Sequence, residues 1–266
     1  MGDHLEREIV LKKTKSMTFK VLSLRLGTRV GILCLCCSLF GCATYVTPGG
    51  PAPLGVGSRS AGADPLTQGG FDRKPGATFP AHLIAARVQG AGYRSYSARG
   101  YGTGRYSVLN VRDIESEEDF KRILAWPKVA QLGALNRMLL PERIDSLDDL
   151  RRSAAGLQAD ILVLYTIDTQ FIDRNSSALV TSITLGFGPT SQILINSTAS
   201  ALFVDVRTGF IFGAAEASAS KSAISSVWRS ESAADETRQG AEKEAFQKLL
   251  SQLDSTWAGI VSRYSK

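Results

Sequence analysis

The chain has 266 residues and a formal net charge of +6, with 44% hydrophobic and 8% aromatic residues. This apolar content can bury a core, which excludes a chain disordered throughout. Only one apolar run approaches membrane length, which excludes a multi-span membrane protein. The charge is uneven, because residues 1–41 hold seven Lys and Arg against three acids. The rest of the chain is close to neutral, so no nucleic-acid partner is expected.

The first residues have the pattern of a secretory signal peptide. Lys20, Arg25 and Arg29 precede an apolar run, 30–40, whose eleven residues are too few for a membrane-spanning helix. We predict a signal segment over 1–41. The alternative is a signal-anchor helix kept in the membrane, which the short run and the Pro/Gly-rich sequence after it disfavour.

The apolar run ends at a predicted lipidation site. Leu39-Phe40-Gly41-Cys42 resembles the lipobox of bacterial lipoproteins, where a small residue precedes a cysteine whose thiol receives diacylglycerol. The resemblance implies a lipid anchor, with palmitate-type chains, on Cys42. Because a signal begins close to its cationic region, we expect the true start at Met17. The other three cysteines lie inside the apolar run and are expected to be small hydrophobic residues rather than metal ligands.

A tether is predicted between the anchor and the folded domain. Residues 43–80 hold six of the nine Pro and eight Gly, with few large apolar side chains. Such a segment cannot bury a core and holds a domain away from a surface. We therefore expect lipidated Cys42 and a tether over 42–80, followed by one α/β domain over 81–266.

The domain is expected to open with a strand over Leu83–Gln89 and a Gly-, Tyr- and Arg-rich stretch over Gly90–Tyr106. This stretch is typical of a long twisted hairpin with Gly100–Gly104 at its tip. The alternative, a loop that stacks and pairs with single-stranded nucleic acid, fits poorly with an envelope location. If the domain has a recognition surface, its candidate residues are Tyr93, Tyr96, Arg99, Tyr101 and Arg105.

Three helices are predicted after a returning strand, Ser107–Arg112. The first begins with Ser116 as its N-cap and acids in its first turn, and ends at Ala125. The second begins at Pro127, with an apolar stripe at helical spacing through Leu139. The third begins after Ser146, where Ser-Leu-Asp-Asp has the capping pattern.

The second half of the domain is predicted to be a sheet followed by a helix. An apolar run over Ile161–Ile167 indicates a buried central strand, and further strands are expected over the ranges Ala178–Leu185, Ser191–Val206 and Phe210–Ser220. Turns are expected at Gly186–Pro189 and Arg207–Gly209. An amphipathic helix from about Ala233 completes the chain. The fold class is therefore α/β: a mixed β-sheet with an antiparallel meander, packed against helices.

Two segments carry a resemblance to known envelope proteins. They are Ala159-Asp160-Ile161-Leu162-Val163-Leu164-Tyr165 and Val204-Asp205-Val206-Arg207-Thr208-Gly209-Phe210-Ile211-Phe212-Gly213. Together with the lipobox, they resemble periplasmic lipoproteins related to the curli-secretion lipoprotein, and they are similar to the rhombotarget lipoproteins. The likeness covers about residues 155–255. It implies an α/β fold and a lipid-anchored envelope protein without known catalytic residues.

Few residues suggest catalysis. His82 is expected to be a solvated residue at the domain edge. The acids between 115 and 119 are expected to favour a helix N-terminus, rather than to hold a metal. Asp168 and Asp173 are expected to flank the end of the central strand, where ligands often bind in open α/β sheets. No nucleophile–base pair is visible, so we expect no catalytic residues, cofactor or metal, and no enzyme activity.

These patterns predict a bacterial envelope lipoprotein. We expect it to be anchored in the outer membrane, facing the periplasm, because Ala43 rather than Asp follows the lipidated cysteine. Its domain is expected to be a non-catalytic binding or assembly module for an envelope protein partner. The alternative is an oligomeric component of an outer-membrane secretion or transport system, in which copies of the chain associate.

Overall fold

A computed structural model describes residues 49–52, 72–95, 97–110, 112–175, 191–225 and 230–265, all within the compact unit 45–266. The strands of this part of the chain are β1 (Ala81–Gly90), β2 (Thr103–Gly104), β3 (Tyr106–Leu109), β4 (Val129–Ala134), β5 (Arg143–Ile144), β6 (Ile161–Asn175), β7 (Ser191–Asp205) and β8 (Ile211–Ser225). Its α-helices are α1 (Glu117–Leu124), α2 (Leu147–Gly156) and α3 (Ser230–Tyr264).

Strand β1 pairs with three other strands of the main sheet, whose order is β3-β1-β6-β7-β8 with β4 also paired to β1. One edge of β1 pairs in parallel with β6, so that Ala86 faces Leu164. Its other edge pairs with β4 in parallel and then with β3 in antiparallel. Strands β6, β7 and β8 form an antiparallel meander. The predicted mixed sheet with its meander and long C-terminal helix is confirmed.

Helix α3 covers one face of the sheet. Its 35 residues correspond to about 52 Å, close to the length of about 50 Å of the 15-residue strand β8 beside it. The helix returns along β8, since Gly240 lies against the Lys221 side chain and Thr256 lies against Gly213. Beneath the helix, Trp257 forms the centre of the first core, with no part of its side chain exposed.

Helix α2 and the segment 135–144 before it cover the other face. Leu150 and Ile144 are completely buried there against the apolar side chains of β1 and β6, in a second core. Successive residues of β6, such as Leu162 and Val163, therefore enter opposite cores, which explains the continuous apolar run of this strand.

Two of the three predicted helices form as expected. The Ser116 hydroxyl accepts from the Asp119 N–H, and the Asp119 carboxylate accepts from the Ser116 N–H, which completes a capping box at α1. At α2 the Asp149 carboxylate accepts from the Ser146 N–H at 2.9 Å. In both cases a local sequence pattern determines where the helix begins.

The predicted helix from Pro127 is wrong, because residues 129–134 form strand β4. Lys128 has a positive φ of 61°, and its carbonyl accepts from the Ala81 N–H, which aligns the next residues beside β1. Gly133 packs closely on Ile84, where a Cβ would come within 2.7 Å of the Ile84 side chain. The pairing with β1 outweighs the helical spacing of the apolar residues.

The predicted boundary between tether and domain is also wrong, because parts of 42–80 belong to the domain. The Ala52 side chain is buried, and its N–H donates to the Thr166 hydroxyl at 3.0 Å. The backbone N–H groups of Gly76 and Ala77 donate to one oxygen of Asp205, at 2.6 and 2.7 Å. The folded domain therefore begins well before residue 81.

The two acids in the segments that carry the resemblance hold this N-terminal chain. The second oxygen of Asp205 accepts from the backbone N–H groups of Arg207 and Thr208, which forms the predicted turn. Asp160 accepts from the His82 N–H and from the Arg207 guanidinium. Burial opposes the charge of Asp160, but these donors outweigh it and hold its pKa below the ordinary value. Both acids therefore have structural roles.

Candidate recognition site

A network of charged side chains is buried where the C-terminal end of β1 meets α3. Its members are two arginines and four acids, contributed by β1, by the chain before α1 and by α3: Arg87, Asp113, Glu115, Asp235, Arg238 and Glu242. Each of these side chains is less than a tenth exposed. Buried charges are tolerated only when ion pairs and hydrogen bonds compensate the loss of water, so the network fixes the elements that supply it.

Arg87 links β1 to the two other parts of the network. Its guanidinium donates to Asp113 at 2.7 Å and to Glu242 at 3.2 Å, and it lies 3.4 Å from the Tyr93 hydroxyl. Burial opposes the charge of Arg87, but Glu242, Glu115 and Asp113 outweigh it and raise its pKa above the ordinary value. Arg87 is therefore a permanent cation in the core.

Arg238 has the same role on α3. It donates to Asp235 one turn earlier at 2.9 Å and to Glu242 one turn later at 2.8 Å. Its third contact is with the Ser97 hydroxyl at 3.1 Å, and that hydroxyl donates to Asp113 at 2.9 Å. Ser97 lies in the loop after β1, so the helix and the network hold this loop directly.

Glu115 is the least well paired acid of the network. One carboxylate oxygen accepts from the Tyr165 hydroxyl at 2.8 Å, whereas the other has no hydrogen-bond partner among the described residues. Burial raises the pKa of Glu115, although the nearby charge of Arg87 and the Tyr165 hydrogen bond oppose the rise. The expected role of Glu115 at a helix N-terminus is thus corrected, because its carboxyl is buried in the network.

The loop after β1 places two arginines side by side. Arg94 and Arg99 pair as an antiparallel bridge across a tight turn, in which the Ser95 N–H donates to the Ala98 carbonyl at 2.8 Å. Cross-strand neighbours in such a bridge project on the same face. Both side chains are exposed, and neither forms an ion pair with another described residue. The turn therefore presents two guanidinium groups that pair with no acid among the described residues.

The structure separates the five residues predicted for recognition. Arg99 and Arg105 are exposed, whereas Tyr93 is only 1% exposed and Tyr101 is half-buried. Tyr96 lies outside the described residues. The prediction of Tyr93 as a surface residue is wrong, because its ring and hydroxyl lie beside Arg87.

The predicted single hairpin is also divided. Tyr101 pairs with Val108 in antiparallel, and it packs on the second core, while residues 94 and 99 form a separate turn. Gly102 and Gly104 have φ values of 102° and 95°, which an L-amino acid side chain rarely allows. The loop is thus a folded ribbon in which Tyr93 and Tyr101 face inward and the arginines face outward.

Other candidate residues have structural positions. Asp168 faces Thr198 in the middle of β6, and β6 continues through Asn175, so the prediction that Asp168 and Asp173 flank the strand end is wrong. His82 is half-buried on β1. Among the residues that the structure describes, no cluster of His, Cys, Asp and Glu side chains could bind a metal ion.

Comparisons with known proteins add no family. No protein-family model matches the chain, and no curated protein matches it. The resemblance to envelope lipoproteins therefore stays a prediction. None of the helices in the described ranges is long and apolar enough to cross a membrane. The predicted strand over 178–185, the turn after it and the predicted lipidation site at Cys42 lie outside these ranges.

Proposed function

We propose that the protein is a lipid-anchored protein of the bacterial cell envelope whose domain acts as a non-catalytic binding module. In this proposal Cys42 holds the chain in the outer membrane, facing the periplasm, and the recognition surface consists of the exposed arginines Arg94, Arg99 and Arg105. We call these three residues the arginine loop. The observation that carries the proposal is the support that the buried ion network gives to the turn of Arg94 and Arg99.

Burial of the network costs free energy, and the contacts of the network hold the loop after β1 in one conformation. Tyr93, which precedes the turn of Arg94 and Arg99, contacts Arg87. Ser97, which lies within this turn, contacts Arg238. A loop that is already ordered loses little conformational entropy on binding. Arginine also provides several directed donors and contributes strongly to interfaces, so a fixed arginine pair suits an anionic partner.

Anchoring and recognition are tested separately. Metabolic labelling with palmitate should mark the wild-type chain and leave the Cys42→Ser variant unmarked, because the thiol is the acceptor. Label that persists in Cys42→Ser would contradict the anchor.

For recognition, a photo-crosslinking residue is placed at Arg99 in the anchored chain, and Met138, which is 86% exposed, is the matched control position. We expect defined products from position 99 that position 138 does not give. The same products from both positions would contradict the arginine loop as the surface.

A second candidate function is the assembly of several copies, as in a secretion or transport component. Strand β8 is an edge of the main sheet over the described residues, and the Lys248 ammonium donates to the outward-facing Ser218 carbonyl at 3.3 Å. In antiparallel pairing the N–H of such a residue also faces outward, so β8 offers unpaired backbone groups to another chain.

This alternative predicts a specific substitution effect. Ser218→Pro removes an outward N–H and should leave the pairing of β8 with β7 intact. If copies pair through β8, the detergent-extracted protein should be a large oligomer, and Ser218→Pro should give monomers. A wild-type protein that is already monomeric by light scattering would exclude this function.

A further inference from the structure

We infer that the arginine loop binds the phosphate groups of anionic lipids in the same membrane that holds Cys42. This inference rests on the proposed lipid anchor and names the partner of the proposed recognition surface. Three observations support it: the position of the first docked residues, the length of chain before them and the charges of the loop, which pair with no carboxylate of the described residues.

The chain that follows the anchor docks directly beside the arginine loop. Gly49 lies against the Tyr93 backbone, where a Cβ would meet the Tyr93 Cα at 3.3 Å. The Gly90 N–H donates to the Gly50 carbonyl at 2.9 Å, and Pro51 bridges to Gln89. The first described residues are thus held at the C-terminal end of β1, which is where the loop begins.

The chain between anchor and dock is short. Gly49 is seven residues after Cys42, and a chain of that length reaches at most about 25 Å. A lipidated Cys42 lies at the membrane surface, so Gly49 stays within that distance of the headgroups, and the loop begins beside Gly49. The turn after β7 lies at the opposite end of the domain. Asp205, which precedes this turn, faces Ile161 at the start of β6, whereas Ala86 of β1 faces Leu164 farther along β6. This turn is therefore several strand residues farther from Gly49 than the end of β1 is.

The charges of Arg94 and Arg99 favour an anionic partner. Arg94 and Arg99 are direct cross-strand neighbours, and like charges in such positions repel. No carboxylate of the described residues pairs with either side chain. A phosphate diester accepts two hydrogen bonds from a guanidinium, and each arginine near an anionic surface adds to membrane attraction. The phosphates of lipid headgroups near the anchor are therefore the partners that we infer for Arg94 and Arg99.

The experiment uses the mature, lipidated chain in vesicles. Because Cys42 carries lipid and is the only cysteine after the signal, Ala91→Cys introduces a single thiol for a fluorophore at an exposed position beside the loop. Ser262→Cys, exposed near the end of α3, is the matched control position. The vesicles contain either phosphatidylcholine alone or phosphatidylcholine with phosphatidylglycerol, together with a lipid whose headgroup carries a quencher.

We expect quenching at Ala91→Cys to be at least about twofold stronger with phosphatidylglycerol, and we expect no such increase at Ser262→Cys. The increase should disappear in Arg94→Gln/Arg99→Gln and in high salt, since salt screens exposed charges. Lys121→Gln/Arg137→Gln removes two other exposed cations and should leave the increase unchanged. All substituted side chains are exposed, so the thermal unfolding of each variant should match the parent.

The possible failures are distinguishable. A chain that lacks diacylglycerol on Cys42 by mass spectrometry, and does not float with vesicles, overturns the proposed anchor. A chain that floats but shows equal quenching in both lipids, or the same quenching after the arginine substitutions, overturns the lipid contact alone. A protein product from the cross-linker at Arg99 in that case would assign the loop to a protein partner.

Discussion

The Glu242 carboxylate is shared between two buried arginines, Arg87 at 3.2 Å and Arg238 at 2.8 Å, and both contacts involve the same oxygen. Its other oxygen accepts from the Thr169 hydroxyl at 2.8 Å. One acid on α3 therefore connects β1, β6 and the helix itself. Removal of either arginine leaves the buried Glu242 carboxylate with only one cation to compensate its negative charge.

We expect Arg238→Met to destabilise the domain by about 3–5 kcal/mol, because it leaves buried carboxylates without a partner cation. Urea unfolding of residues 45–266 would measure the change. Arg122→Met is the matched control, since Arg122 pairs with Asp254 at the surface and is 40% exposed. The control should cost less than about 1 kcal/mol. Equal costs for the two variants would show that the network does not hold α3 to the sheet.

We expect Glu115 to make the stability fall as the pH rises. Its folded pKa is raised by burial, so between the unfolded value and the folded value the native state binds more protons than the unfolded state. The stability contribution is complete below the ordinary pKa of about 4.3 and is lost as the pH rises through the folded pKa, by at most about 1.4 kcal/mol per pH unit.

Glu115→Gln should remove this pH dependence, because the amide cannot ionise and its oxygen can still accept from Tyr165. The exposed Glu118→Gln is the control and should keep the slope of the parent. The free energy of unfolding at a series of pH values above 4 gives the comparison. A parent and a Glu115→Gln variant with parallel pH profiles would mean that Glu115 ionises normally in the folded protein.

The sequence predicts the meander and α3 well, because alternation and helical spacing are local signals. It does not predict β4, because the strand conformation of β4 depends on pairing with β1, which is far away in the sequence. The ion network was missed, although its signal is present: Arg87 lies inside an apolar strand, and Asp235, Arg238 and Glu242 have the three- and four-residue spacing of one helix face. Pattern alone also could not show that Tyr93 turns inward while Arg99 turns outward.

We expect Asp205→Asn to cost about 3 kcal/mol in residues 45–266. The carboxylate accepts four backbone N–H groups, whereas an asparagine has one acceptor oxygen and turns its own N–H₂ toward two of these donors. Asp168→Asn on β6, for which the structure gives no such donors, should change the stability by less than about 0.5 kcal/mol. Urea unfolding of both variants measures the difference.

The same substitution tests whether the N-terminal segment belongs to the domain. In a chain that begins at residue 81, the Gly76 and Ala77 donors are missing, so Asp205→Asn should cost less than it does in 45–266. The shorter chain should also be less stable than the longer one. An equal cost of Asp205→Asn in both chains would show that residues 72–80 do not dock on Asp205.

Trp257 provides the test of the first core. Its ring is completely buried, stacks on Trp126 with the centroids 5.8 Å apart, and packs at a tilt on Phe203 at 5.6 Å. Its indole N–H donates to the Pro127 carbonyl at 2.8 Å, which holds the turn before β4 against α3.

We expect Trp257→Ala to cost about 3–5 kcal/mol, because a large cavity opens where the helix meets the sheet. Trp257→Phe keeps a ring and loses the hydrogen bond, so it should cost less than the alanine variant. The free energies of unfolding of both variants provide the comparison, and an alanine variant as stable as the parent would show that α3 does not pack on the sheet through this residue.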